Sequence, residues 1–215
     1  LGSAMAMDKD LTKRLVAGAV TTPRWETVTV TEENIPALLE KTQLPVVVKP
    51  IASGSSIGVY IAHDRPELER ALQDSVKLGG RTVLEQYVQG REIQVALLED
   101  RALPSIEIIP SDGFYDYENK YKPGAVKETC PAPISEELTK RLQEAAVDGY
   151  HALEMESYAR LDFIVTKDEK IYCLEANTLP GMTPTSLIPQ EAAVLGMDYP
   201  TLCEELIKVS QKKYA

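Results

Sequence analysis

Apolar residues recur every three or four positions from Ser3 to Ala19, at Ala4, Met7, Leu11, Leu15 and Ala19, which places them on one helical face that closes before Pro23. A short helix is expected from Glu32 to about Thr42. Pro45 to Lys49 is a compact β-branched run that reads as a strand, Pro50 to Ser56 is a Gly- and Ser-rich loop, and Gly58 to Ala62 reads as the returning strand. Leu68, Leu72 and Val76 predict a helix over Arg65 to Leu78, and Arg81 to Val88 returns to strand. Beyond Gln89-Gly90 a meander begins, with strands at Glu92 to Glu99 and Leu103 to Ile109 and a turn near Asp100. Ser111 to Pro133 crowds Gly, Pro, Asp and aromatic residues without a period. It reads as a long loop, a length usually reserved for functional lids or disordered segments. Glu136 to Leu153 is a helix, Tyr158 to Thr166 and Lys170 to Ala176 form a hairpin, and Tyr199 to Lys212 is the closing helix. The pattern predicts an α+β fold with mainly antiparallel sheets in two lobes, residues 1–88 and 89–215.

The hairpin carries the sharpest chemistry. If Asp168 and Glu169 form a two-residue turn, Asp162 falls opposite Glu175 and Arg160 opposite Asn177, all on one face. Two carboxylates and an amide beside an arginine make a hard oxygen site suited to Mg²⁺ carrying phosphates. Directly opposed carboxylates repel unless a cation lies between them. The bland reading is a solvated hairpin face, but the alternate positions Leu161, Phe163, Cys173 and Leu174 are apolar, and the polar face runs into a stiff Thr178–Met182 loop.

A second signal is Lys49 leaving a buried strand beside Ser53-Gly54-Ser55-Ser56-Ile57-Gly58, one fixed cation next to hydroxyls and backbone N–H groups that suit phosphate oxygens. The order is not that of a Walker A loop. A third is the strand edge at Glu85, Gln86 and Val88 with Glu92 beyond it, which can hold a flat heterocycle and its ribose. Lys9 and Lys13, four apart on the first helix, are expected to face solvent, and His63 and His151 are isolated imidazoles.

Composition narrows the class. The chain has 215 residues, 44% hydrophobic and 26% charged, close to a globular average. Its net charge of -10 argues against nucleic acid or an anionic membrane surface as a partner while leaving room for a local basic pocket. The apolar runs fall far short of a membrane span. Cys130, Cys173 and Cys203 form no CxxC pair, so neither a zinc site nor a disulfide framework is legible, and a reducing cytoplasm is the expected location. No signal peptide is read at Leu1 to Met7.

Taken in order, Met7-Asp8-Lys9, Val48-Lys49-Pro50 with its Gly54 to Gly58 loop, Leu84-Glu85, Phe114 to Tyr121, Arg160-Leu161-Asp162 and Glu175 to Leu187 resemble the D-alanine:D-alanine ligases of the ATP-grasp superfamily. The resemblance extends over essentially the whole chain. It implies two lobes clasping ATP between antiparallel sheets, and a reaction in which ATP phosphorylates one D-alanine carboxylate and a second D-alanine amine attacks the acyl phosphate, a step of peptidoglycan precursor synthesis. By position it implies that Lys9 and Lys49 grip the phosphates and that Ser56 lies in the phosphate loop. Glu85 with the Gln86 and Val88 backbone would hold adenine, and Glu92 the ribose. Tyr115 and Lys120 would also lie at the nucleotide.

The same resemblance gives two Mg²⁺ ions, or Mn²⁺ in their place, to Asp162, Glu175 and Asn177, with Glu175 bridging. Arg160 and the Gly181 backbone would stabilise the oxyanion, Ser186 and Leu187 would fix the second substrate's carboxylate, and Ser55 with Tyr121 would close a hydrogen-bonded lid. The lid of Lys120 and Tyr121 favours a dipeptide over an ester product. Gln86 departs from the lysine that many members carry. The family's amino-terminal domain, which supplies a glutamate for the first D-alanine and much of a homodimer interface, has no counterpart in this sequence. The expectation is therefore a fragment that binds Mg-ATP weakly and is close to inactive alone. Two rivals are an ATP-grasp carboxylate–amine ligase for other amino acids, and a nucleotide-binding module without catalysis.

Overall fold

A computed structural model describes residues 1–54, 56–110 and 126–212. The first helix of the sequence pattern is two helices, α1 (Gly2–Met7) and α2 (Lys9–Val16). Asp8 separates them in extended backbone, and its carboxylate accepts the Leu11 N–H at 3.0 Å, a side-chain N-cap that starts α2. Gly2 is needed where α1 meets the chain after residue 152, because a Cβ there would come within 2.9 Å of the Leu153 carbonyl oxygen.

The first sheet holds β1 (Trp25–Thr29), β2 (Val46–Pro50), β3 (Tyr60–Ala62) and β4 (Arg81–Gln86) in the order β1-β4-β2-β3, antiparallel throughout. The sequence did not signal β1, whose five residues carry a single aliphatic side chain, Val28. Helices α3 (Ile35–Lys41) and α4 (Arg65–Lys77) cover one face, where Ile35, Leu38, Leu68 and Leu72 bury against Val46, Val48 and Leu84. Asp64 caps α4 by accepting the Glu67 N–H at 2.9 Å.

The second sheet holds β5 (Arg91–Leu98), β6 (Arg101–Ala102), β7 (Ile106–Pro110), β8 (Val126–Thr129), β9 (Tyr158–Val165) and β10 (Ile171–Asn177). Its order is β10-β9-β5-β7-β8, with β6 also beside β5. Helix α5 (Glu136–Ala152) covers one face, and Leu138, Leu142 and Ala146 pack there with Ile93, Val95, Leu161 and Phe163. At one end of the opposite face, α6 (Leu187–Val194) and α7 (Tyr199–Lys212) bury Ile188, Ala192 and Leu202 against Ala96, Leu98 and Leu103.

Three expectations change. The stretch expected as one long loop contains strand β8, which pairs with β7. Helix α6 follows the Thr178 loop, although its apolar residues fall all around its axis and gave no stripe to read. The division at residue 88 separates the two sheets, yet α1 and α2 side with the second: Val16 and Val20 belong to the core under α5, and the Cys173 N–H donates to the Thr21 carbonyl at 2.8 Å. Among the described residues no helix is long and apolar enough to cross a membrane.

Candidate functional site

The face of the second sheet opposite α5 presents the polar residues of the hairpin. Alternation along β9 sends Leu161 and Phe163 into the core and leaves Arg160 and Asp162 on the other side, and Glu175 and Asn177 of β10 join them. Glu175 lies opposite Asp162, and Asn177 opposite Arg160, the pairing expected from sequence. It is reached by a different route. Three residues, Lys167 to Glu169, turn the chain between the Thr166 and Lys170 backbone bond, with Glu169 at φ 57°. That turn pairs Cys173 with Phe163, one position out of the expected register, and an irregularity at Leu174 restores it before Glu175.

Within this group Arg160 binds Asp162 in a fork, Nε to Oδ1 and Nη2 to Oδ2, both at 2.8 Å. The Asn177 amide nitrogen donates to Asp162 at 3.1 Å and to Glu175 at 3.4 Å. Burial disfavours the Arg160 charge, but Asp162 and then Glu175 outweigh it and hold the guanidinium above its ordinary range. Across the next strand Gln94 lies opposite Asp162 and donates to Glu92 at 3.3 Å.

The lysines converge from the other side. Lys9 and Lys13, expected in solvent, are both buried. Lys13 pairs with Glu85, donates to Thr22 Oγ1 at 2.8 Å and lies 5.4 Å from the centre of the Trp25 ring. Lys49 Nζ binds the other Glu85 oxygen at 2.6 Å, and Lys9 donates to the Ser53 carbonyl. Burial lowers the Lys9 pKa, with Glu175 working against it and Lys49 with it, so Lys9 lies within the field of both lysine and carboxylate groups. Burial also lowers Lys13, against the pull of Glu85. For Glu85, burial raises the pKa, but Lys49 and Lys13 together overcome it and hold the carboxyl below 4.5.

Two ammonium groups thus share one buried carboxylate and a third, Lys9, lies within its field, a local surplus of positive charge in a chain of net charge -10. A surplus of this kind favours an anion with several oxygens. On the facing sheet, Asp162, Glu175 and the Asn177 amide offer hard oxygen donors of the type Mg²⁺ accepts. Among the described residues no group of three or more His, Cys, Asp or Glu side chains is placed to hold a metal ion.

The remaining expected residues fall as follows. Both Glu85 oxygens are engaged by lysines, and the Gln86 N–H donates to the Arg24 carbonyl at 2.8 Å. Val88 lies in irregular, half-buried backbone between the sheets. Ser56 sits at φ 58° in the turn where the Val59 N–H returns to its carbonyl at 3.1 Å. Gly181 precedes a loop tied by Ser186 Oγ, which accepts the Thr183 N–H at 3.0 Å, and Leu187 is buried at the start of α6. Ser55, Tyr115, Lys120 and Tyr121, and with them the expected lid, lie outside the described residues.

Residues 17–208 match the family model described as D-ala D-ala ligase C-terminus. A D-alanine–D-alanine ligase of Desulfotalea psychrophila is 44% identical over 225 residues, covering 99% of this chain and 69% of that protein. The chain belongs to the D-alanine–D-alanine ligase family. A ligase of Aquifex aeolicus is 41% identical over 96% of this chain and 70% of its own length. The solved ligase of Bacillus anthracis complexed with ATP superposes with a TM-score of 0.81 at 31% identity, covering 99% of this chain and 68% of that one. The VanG D-Ala:D-Ser ligase of Enterococcus faecalis gives 0.85 at 31% identity, over 97% of this chain and 63% of that one. The fold is thus that of the ATP-grasp ligases, and the chain spans 61–69% of the length of the first three curated relatives.

Two buried residues of this family member went unread in the sequence. Lys13 was visible only as a lysine four positions after Lys9, which normally marks a solvated helix face. Glu191 sits in α6, fully buried, and its Oε2 accepts the Ala96 N–H at 2.7 Å.

Proposed function

We propose that this chain is the ATP-binding and bond-forming part of a ligase that joins two D-alanines with formation of ADP. The observation that carries the reading is the buried lysine surplus around Glu85, set near the carboxylate face of Asp162 and Glu175. Phosphoryl transfer needs charge neutralisation and alignment rather than a protein nucleophile, and this arrangement provides both. Lys49 and Lys9 hold the phosphates. Lys13 holds Glu85, and through it fixes where Lys49 points. The connection from Gln86 to Val88 lies along the adenine, with Glu92 at the ribose, and the Ser56 turn covers the phosphates.

Mg²⁺ held by Asp162, Glu175 and Asn177 would neutralise charge on the transferring phosphate. The first D-alanine carboxylate oxygen attacks the terminal phosphorus, and ADP leaves. The second D-alanine, its carboxylate at Ser186 and Leu187, attacks the carbonyl carbon through its neutral amine. Arg160 and the Gly181 N–H stabilise the oxyanion so formed. Phosphate leaves with the former carboxylate oxygen, and the amine proton is released. In this reading Ser55 and Tyr121 are the lid pair that keeps water from the acyl phosphate, and Tyr115 and Lys120 belong to the nucleotide.

The test is isotope transfer in the complete polypeptide that carries this chain. With D-alanine labelled by ¹⁸O in its carboxylate, each released phosphate should carry one labelled oxygen, and ADP should be the nucleotide product. Unlabelled phosphate, or AMP as product, would overturn the proposal. D-serine and D-lactate offered as acceptors read the specificity of the second site, where D-alanine should be preferred.

A further inference from the structure

Glu191 is a fully buried carboxyl group with no place in the reaction described above. It projects from α6 toward an apolar layer in which Ala96, Leu98 and Leu103 meet Ile188, Ala192 and Leu202. A charge there has no water to solvate it, and a buried polar group persists only where its hydrogen bonds are needed. The need is visible in the strand. β7 pairs with β5 only from Glu92 to Gln94, and β6 pairs with β5 only at Leu97 and Leu98. Between them the Leu103 N–H bonds the Ala96 carbonyl at 2.8 Å, and Ala96 belongs to neither the β5–β7 nor the β5–β6 pairing. Glu191 Oε2 fills that gap at 2.7 Å. Ala96 lies directly opposite Arg160 on β9, and α6 begins at Leu187, next to Ser186.

We propose that Glu191 is a positioning residue which latches the start of α6, and with it the Ser186–Leu187 carboxylate pocket, to the strand that carries its register to Arg160. The proposal rests on the ligase reading for what that pocket holds. Burial raises the Glu191 pKa well above 4.5, against the opposing effects of the Ala96 N–H and Arg160. The other oxygen, Oε1, has no hydrogen-bond partner among the described residues. The latch uses one acceptor oxygen, which a glutamine side chain also supplies.

The experiment compares Glu191→Gln and Glu191→Leu with the unaltered complete polypeptide, measuring KM for the acceptor D-alanine, KM for ATP, and hydrogen exchange at the Ala96 amide. Glu191→Gln should stay within about twofold of the unaltered protein in all three. Glu191→Leu should raise the acceptor KM about tenfold or more with ATP KM changed by less than twofold, and Ala96 exchange should quicken at least tenfold. Equal acceptor KM in the leucine and unaltered proteins would overturn the latch, as would a glutamine variant as impaired as the leucine one. If the leucine variant does not fold, a glutamine variant with slow Ala96 exchange and normal acceptor KM supports the latch, and one with fast exchange refutes it. Absence of ligation by the unaltered protein would instead refute the ligase reading, and the Ala96 exchange would still decide whether the strand is latched.

Discussion

Replacing Lys13 by Met removes one of the two ammonium groups on Glu85 while keeping an unbranched side chain to cover Trp25. The Lys13 and Glu85 side chains are both 2% exposed, so water cannot solvate the carboxylate that is left. Breaking a buried ion pair by removing one partner costs ~3–5 kcal/mol. Lys49 still binds the other Glu85 oxygen at 2.6 Å, which places Lys13→Met at the lower end. A loss of about 3 kcal/mol in a chain of this size lowers Tm by about 6–12 °C. Glu85→Gln should cost more, because it strands two ammonium groups instead of one carboxylate. The double variant should cost less than the sum of the two, since it removes both ends of one pair. Thermal unfolding followed by circular dichroism reads all three proteins. A Tm for Lys13→Met within about 1 °C of the unaltered chain, or strict additivity in the double variant, would refute the buried pair.

Acid should expose the same carboxylate. Glu85 is held below 4.5 in the folded chain, so its contribution is present above that pH and is lost as pH falls through its folded value. The stability gap between the unaltered protein and Glu85→Gln should therefore narrow between pH 7 and pH 3, and a gap independent of pH would show the carboxylate to be unpaired. At Gly90, between the two sheets, a Cβ would come within 2.4 Å of the Val165 carbonyl oxygen and 2.6 Å of Ile164. Gly90→Ala should destabilise by ~1–3 kcal/mol in urea unfolding, and a neutral result would mean that the chain crosses between sheets by another path. In the complete polypeptide, Glu175→Gln should lower Mg²⁺-dependent turnover by about 100-fold or more, the loss of several kcal/mol of charge stabilisation. Turnover within about tenfold of the unaltered enzyme would remove Glu175 from the metal site.

Strong local periodicity made much of this fold legible. The helices over residues 65–77, 136–152 and 199–212 carry clear apolar spacing, and the strands around Val47 and Val95 are β-branched or aliphatic runs. Strand β1 was missed because Thr and Glu fill it, and α6 because it is apolar on every side. The pairing of Asp162 with Glu175 was inferred from a two-residue turn that the chain does not use; the wider turn and the irregularity at Leu174 offset each other. Burial of charge was least visible. Lys13 and Glu191 look like surface residues in sequence, and only the partners brought by tertiary structure, Glu85 and the Ala96 N–H, explain why they lie inside.

A buried lysine surplus beside the oxygen donors of Asp162 and Glu175 should bind a polyphosphate together with Mg²⁺. Calorimetric titration of nucleotides into the folded chain tests it most directly. One site per chain is expected, at least about tenfold tighter for ATP with Mg²⁺ than for AMP, and lost in Lys49→Met. Equal affinity for ATP and AMP, or binding unchanged by Lys49→Met, would contradict it.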